Sequence, residues 1–359
     1  MVARCLRAVI QGKDLSEREA YLMVRAMLRG KVDPVHMAAV LTAMRVKGLA
    51  ASELVGAGLA LKESFEPWVR LRDGFLSLDR EEINLDQETM DRTFLPNNRG
   101  TATFNVSTAT ALVVAGAGGR VVRHASLVPS QRVGTEHVLR ELGIQPEVTP
   151  SLARRCLEET GVAFLYSSSL YPASRLVHQV RRQLGFRTLF NVAGPLSNPC
   201  GASAVYLGVY EVSELSLFPE VARALGVGRG IMVHGESTLD EASITGTTLL
   251  CELGPCGSDT RELLPEDLGL RRCSPEEIRG GTARQNALVI REILKGAPGP
   301  RRDLVLLNSA LALKACGRAL DEREGLAMAV ESIDSGAALR TLELLGRLSN
   351  EEGYFRKAE

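Results

Sequence analysis

AVYLGVYEVSELSLFPEVARALGVGRGIMVHGESTLDE, residues 204–241, is the stretch that decides how this chain folds. Residues 204–210 and 230–233 are short apolar runs of strand character, and residues 212–225 between them read as a helix. A strand, a helix and a second strand in succession predict parallel neighbours in one sheet, with helices covering both of its faces. Just past the second strand stand two adjacent acids, Asp240 and Glu241. Sheets of this kind gather ligands beyond the carboxyl ends of their strands. Two neighbouring carboxylates also suit an ordinary solvated loop, and the spacing alone does not separate the two readings.

The same alternation continues on both sides. Ser107 can cap a helix over 108–117 that Gly118-Gly119 ends, and Val121-Val122 form the core of a strand at 120–123. A helix at 135–142, a strand at 162–166 and a helix at 172–184 follow, and two long helical patterns, 303–315 and 322–345, close the chain. Upstream the texture changes. The first 66 residues read as helices alone: one opens at Ser16 with acids in its first turn, one after Asp33-Pro34, and one at Ser52-Glu53. Residues 68–94 are acidic and polar and read as a linker with an edge strand. The fold class is therefore α/β: a small N-terminal helical domain (1–66, with a returning helix near 172–185) and a large α/β domain (67–359) with a mostly parallel sheet.

With 43 basic and 43 acidic side chains, the chain carries no formal net charge. That argues against nucleic acid or an anionic membrane as a bulk partner and leaves room for a local basic pocket. Two uncharged runs, 100–119 and 188–210, approach membrane-span length. Hydroxyl side chains crowd the first, and Pro195 and Pro199 interrupt the second, so both read as loops entering buried elements. No secretory signal is expected. The seven cysteines, Cys5, Cys156, Cys200, Cys251, Cys256, Cys273 and Cys316, are scattered without a CxxC pair, which predicts reduced thiols and a cytoplasmic location.

Four segments carry a family resemblance. Thr103-Phe104-Asn105-Val106-Ser107-Thr108 is similar to TFN(V/I)ST; Val180-Arg181-Arg182 with residues 187–199 is similar to RTxFNxxGPLxNP; Val233-His234-Gly235-Glu236 with Leu239-Asp240-Glu241 resembles VHGxxxxDE; and Arg279-Gly280-Gly281, Asn286-Ala287 and Asn308 also fit. Gly30, Ala39, Arg45 and Lys47-Gly48 fit the helical start. Together they resemble the anthranilate phosphoribosyltransferase family (glycosyltransferase family 3), in a divergent form, over nearly the whole chain. The resemblance implies a class III phosphoribosyltransferase fold related to nucleoside phosphorylases. It also implies transfer of a phosphoribosyl group from phosphoribosyl pyrophosphate to anthranilate in tryptophan biosynthesis, with Mg2+ as cofactor and a homodimer formed through the helical domain.

The resemblance also assigns roles, and elementary chemistry makes them reasonable. Asn105, Ser107 and Thr108 lie where a loop enters a helix, whose unpaired N–H groups and positive dipole end suit a phosphate; Ser107 alone suits a cap equally well. Arg123, His124, Arg99 and Gly100 are the further residues expected to face phosphoribosyl pyrophosphate. Arg181 matches the position that meets the acceptor's carboxylate, a pairing its fork can make bidentately, although a helix-surface arginine would look the same. Asp240, Glu241 and the Ser107 hydroxyl are hard oxygen donors of the kind that hold magnesium together with substrate phosphate.

Two loops depart from the family pattern. Where the family has the glycine-rich GTGGDG, this chain has Leu95-Pro96-Asn97-Asn98-Arg99-Gly100, and where the family has KHGNRSVSSRSG, residues 123–134 read RHASLVPSQRVG. Glycines let backbone amides close around a pyrophosphate, and Pro96 has no N–H to offer. The expected function is anthranilate phosphoribosyl transfer. The alternatives are a paralogue with a different donor or acceptor and a non-catalytic binding or regulatory dimer.

Overall fold

A computed structural model of the chain describes residues 1–69, 82–87, 103–125, 135–166, 175–198, 202–236, 240–255 and 257–351. The chain opens with α1 (Val2–Ile10), α2 (Glu17–Leu28), α3 (Pro34–Lys47) and α4 (Ala51–Val69). The start signals act as the sequence predicts. Ser16 and Glu19 close a reciprocal capping box on α2, and Asp33 accepts from the His36 N–H at the head of α3, whose first residue is Pro34. The first helix, α1, went unread because its nine residues carry no side-chain cap. The pairs α1 with α3 and α2 with α4 pack together around Met23, Met27, Met37, Leu41 and Met44.

The sheet and its helices follow: β1 (Glu82–Gln87), α5 (Val106–Gly116), β2 (Arg120–Ala125), α6 (Thr135–Glu141), α7 (Pro150–Thr160), β3 (Val162–Tyr166), α8 (Arg175–Leu184), α9 (Leu189–Ala193), β4 (Ala204–Gly208), α10 (Phe218–Ala224) and β5 (Arg229–Gly235). The hairpin β6 (Thr248–Gly254) and β7 (Gly257–Leu263) comes next, then α11 (Ala283–Leu294), α12 (Pro300–Ala315), α13 (Glu322–Asp334) and α14 (Ala337–Glu351). The strand order is β3-β2-β1-β4-β5-β6-β7; the first five strands are parallel, and β6 and β7 run antiparallel.

Alternation along each strand separates two cores. Val121, Phe164, Tyr206, Ile231 and Val233 face a layer built from α5, α6 and α11–α14, with α5 buried from Val106 to Ala115. Val122, Leu165, Val205, Leu207 and Met232 face α8, α9, α10 and the N-terminal helices. Strands β3 and β4 therefore read as continuous apolar runs, because neither face of the sheet meets water there. The returning helix α8 packs against α3 and α2.

Four local readings are corrected. The strand expected at an edge within 68–94 is β1, and it lies inside the sheet between β2 and β4; its sequence Glu-Ile-Asn-Leu-Asp-Gln alternates polar and apolar residues as an edge strand would. The helix expected over 212–225 is a 3-10 turn, Val212–Glu214, followed by α10, because Pro219 supplies no N–H to a preceding turn and suits only a first turn. The helix expected over 322–345 is α13 and α14, parted at Gly336, whose φ of 74° no continuous helix allows. The N-cap of α5 is Asn105 rather than Ser107, so Ser107 lies inside the first turn.

Candidate active site

Two polar clusters follow the carboxyl ends of parallel strands, and a third lies on α8. The first surrounds the N-terminus of α5. Asn105 holds the cap position but its side chain does not cap. Its amide is held from the side: Asn286 Nδ2 donates to Asn105 Oδ1 (3.2 Å), and Asn105 Nδ2 donates to Thr135 Oγ1 (3.4 Å). Arg123, buried near the end of β2, donates through Nη1 to Thr108 Oγ1 (3.3 Å) and to Thr135 Oγ1 (3.4 Å). The Ser107 hydroxyl is buried and has no hydrogen-bond partner among the described residues. An orphaned hydroxyl in the first turn of a helix, at the positive end of its dipole and near a buried guanidinium, is a place for an anion.

The second cluster holds the adjacent acids. Asp240 and Glu241 are buried, so the solvated-loop reading does not apply. Asn308 on α12 ties the following residue at both ends: it accepts from the Ala242 N–H (3.1 Å) and donates to the Ala242 carbonyl (3.1 Å). Tyr206 Oη donates to the same Asn308 Oδ1 (2.7 Å). Burial, and then the charge of Glu241, raise the Tyr206 phenol well above its usual range, so it keeps the hydrogen it donates. Gly208, the last residue of β4, lies directly beneath the Asp240 carbonyl.

The third cluster is on α8. Arg181 is buried, donates to Asn191 Oδ1 (3.1 Å) and lies 5.7 Å from the centre of the Phe190 ring. One turn earlier, both ring nitrogens of His178 are buried without a partner among the described residues. Burial, helped by the charges of Arg181 and Arg182, lowers its pKa to about 4. The unfolded chain, with histidine near its ordinary value of 6.5, then binds more protons between these two pH values. The stability this neutral histidine confers is complete above the unfolded value and is lost as pH falls toward 4, by roughly 2–3 kcal/mol. An NMR titration should place His178 well below 6, and His178→Gln should flatten the acid side of the stability profile; a midpoint near 6.5 would contradict this.

Of the residues singled out in the sequence, Asn105, Ser107, Thr108 and Arg123 come together in the first cluster and Asp240 and Glu241 in the second, while Arg181 lies apart in the third. His124 is paired within β2, opposite Leu165 of β3; its side chain, Arg99, Gly100 and the rewritten loop 95–100 lie outside the described residues, as do residues 126–134. Thr135 and Gly208 carried no sequence signal of a role, and Asn286 and Asn308 fitted the family pattern without an assigned one.

The helical bundle domain of the glycosyl transferase family matches residues 3–65, and the a/b domain of the same family matches residues 99–339. The anthranilate phosphoribosyltransferase of Geotalea uraniireducens is 39% identical over 351 residues, which cover 98% of this chain and 100% of the relative. The chain belongs to the anthranilate phosphoribosyltransferase family. Among solved members of the anthranilate phosphoribosyltransferase family, the Thermus thermophilus protein is 33% identical with a TM-score of 0.84, covering 96% of this chain and 99% of its own. The Saccharomyces cerevisiae enzyme in complex with PRPP and Mg shares the fold at 23% identity, with a TM-score of 0.80 over 97% of this chain and 98% of its own. Full-length matches to enzymes of one activity do not favour the alternative of a non-catalytic dimer.

Proposed function

We propose that this protein is a magnesium-dependent anthranilate phosphoribosyltransferase acting in tryptophan biosynthesis. The C1–O bond to pyrophosphate breaks, a bond from C1 to the anthranilate nitrogen forms, and the amine gives up one proton. The observation that carries this reading is the α5 N-terminus, where the Ser107 hydroxyl, without a partner among the described residues, adjoins Thr108, to which buried Arg123 donates. There Asn105, Ser107, Thr108 and Arg123, with His124, Arg99 and Gly100, would bind phosphoribosyl pyrophosphate. Arg181 would clamp the carboxylate of the acceptor.

The residues present fit magnesium. Asp240 and Glu241 are two buried carboxylates and Ser107 adds a hydroxyl, all hard oxygen donors, which suits an ion that completes its shell with substrate phosphate and water. Bound there, magnesium supplies charge neutralisation for the departing pyrophosphate.

The deciding experiment is turnover of phosphoribosyl pyrophosphate and anthranilate with and without Mg2+. Arg181→Ala should raise KM for anthranilate by roughly 10- to 100-fold, the loss of a charge-assisted pair, and leave affinity for phosphoribosyl pyrophosphate unchanged. Equal effects on both substrates would remove Arg181 from the acceptor site. The rewritten loop 95–100 should make donor binding weaker than the family pattern provides. Pro96→Gly, Asn97→Gly, Asn98→Gly and Arg99→Asp together should then tighten it by up to roughly 100-fold, the worth of one or two amide contacts to pyrophosphate. Tight binding in the unaltered chain would show instead that side chains of this loop hold the pyrophosphate.

The helical unit, 1–66 with α8 returning to it, is the part we assign to homodimer formation. Three large exposed hydrophobics, Ile10, Val35 and Val46, lie on the mutually packed α1 and α3. A monomer in sedimentation would reject the dimer. Among the described residues no helix is long and apolar enough to cross a membrane, and the five described cysteines are in no disulfide; the cytoplasmic location is our proposal.

A further inference from the structure

We propose that Asn286 is a positioning residue for the phosphate-binding end of α5, fixing the direction in which a chain of hydrogen bonds runs across it. This inference rests on the reading of the α5 N-terminus as the pyrophosphate site.

The chain begins at Gly281, whose N–H can only donate. The atom of Asn286 it meets at 2.7 Å is therefore the oxygen. That choice turns the Asn286 amide nitrogen toward Asn105, so the atom receiving it at 3.2 Å is Asn105 Oδ1, and Asn105 Nδ2 is left to face Thr135 Oγ1 at 3.4 Å. Arg123 enters from the other side and also can only donate, to Thr135 at 3.4 Å and Thr108 at 3.3 Å. Thr135 thus accepts twice and Thr108 once, all from groups with no acceptor to return. Neither hydroxyl has an acceptor for its own hydrogen among the described residues, so both are set to donate outward, beside the unpartnered Ser107 hydroxyl. Phosphate oxygens accept and do not donate, and they match this sense.

The anchor is rigid. Asn286 is 5% exposed in the first turn of α11, where Thr282 and Gln285 form a capping box. Arg279 and Thr103 form an antiparallel bridge, and a Cβ on Gly280 would meet the Thr103 carbonyl at 2.5 Å and the Phe104 nitrogen at 2.8 Å. The segment that starts the chain is therefore pressed against the segment it orients, with no room for a side chain between them.

The test is calorimetric titration of Mg2+ with phosphoribosyl pyrophosphate, alongside steady-state kinetics. Asn286→Asp keeps the acceptor for Gly281 but cannot donate to Asn105, and should weaken donor binding by roughly 10-fold. KM for the donor should rise by a similar factor while KM for anthranilate stays within twofold. In an Asn105→Ala background the same substitution should add nothing. Asn286→Ser, neutral and too short to bridge, is read in its place where Asn286→Asp does not fold, and should give the same loss. Native donor affinity in a folded Asn286 variant, or an equal further loss in the Asn105→Ala background, overturns the positioning role. Native donor affinity in both Asn105→Ala and Ser107→Ala would instead overturn the reading of the pyrophosphate site.

Discussion

Gly208→Ala is expected to lower kcat/KM by roughly 100-fold, the scale at which a displacement of about 1 Å disables a site, while the protein stays folded. A Cβ at this position would stand 1.7 Å from the Asp240 carbonyl oxygen, 2.3 Å from its carbonyl carbon and 3.0 Å from its Cα. These are backbone atoms and cannot rotate aside. The loop cannot simply lift away either, because both backbone groups of Ala242 are tied to Asn308, which Tyr206 holds in turn. Asp240 must therefore move, and Glu241 with it. The loss should come with a rise in the magnesium concentration needed for half-maximal rate. Gly254→Ala is the control: its added Cβ would meet nothing within 4 Å. Native kcat/KM and native magnesium dependence in Gly208→Ala would remove the acidic pair from the metal site.

Glu214→Ala should cost about 3–5 kcal/mol of stability, the usual consequence of leaving one member of a buried ion pair without the other. Arg187 reaches Glu214 with both terminal nitrogens, at 2.9 and 2.7 Å, and its side chain is 1% exposed. It also lies 5.8 Å from the centre of the Tyr210 ring and 3.9 Å from Glu211. Glu211 in turn accepts from Arg45 on α3 at 2.6 Å, so the pair sits where the N-terminal helices meet the segment leaving β4. Replacing both partners with apolar residues of similar size should recover much of the loss. Urea unfolding of the native chain and of the two variants measures this. A cost below about 1 kcal/mol for Glu214→Ala would mean that the pair behaves as a surface bridge.

What could be read in the sequence was whatever is local. Ser16 and Asp33 announce their helices because a cap and its partner are three residues apart. The apolar runs at 162–166 and 204–210 announce strands because burial on both faces leaves no polar position. The centre of the sheet was not legible, since β1 owes its place to neighbours far along the chain and its own residues alternate. Gly336 was missed because the apolar periodicity of α13 carries on into α14. In the site, the acids at 240 and 241 could be picked out as a pair, yet their burial depends on Gly208, Tyr206 and Asn308. The bond from Asn286 to Asn105 spans 181 positions and leaves no trace in spacing. Ser107 was recognised as a hydroxyl at a helix start, but only the fold shows that Asn105 takes the cap and leaves Ser107 without a partner.

The order of the strands also sets a timetable for synthesis. Ile83 in β1 takes Ala204 in β4 as its partner on one side and Val121 in β2 on the other. At the usual ribosomal pace of about 5–20 residues per second, β1 is made roughly 6–24 seconds before β4 arrives. The N-terminal helices contact one another at short range and can gather during that wait, whereas the middle strand stands with one edge open. Until β4 arrives, the open edge of β1 is a template on which another strand could pair.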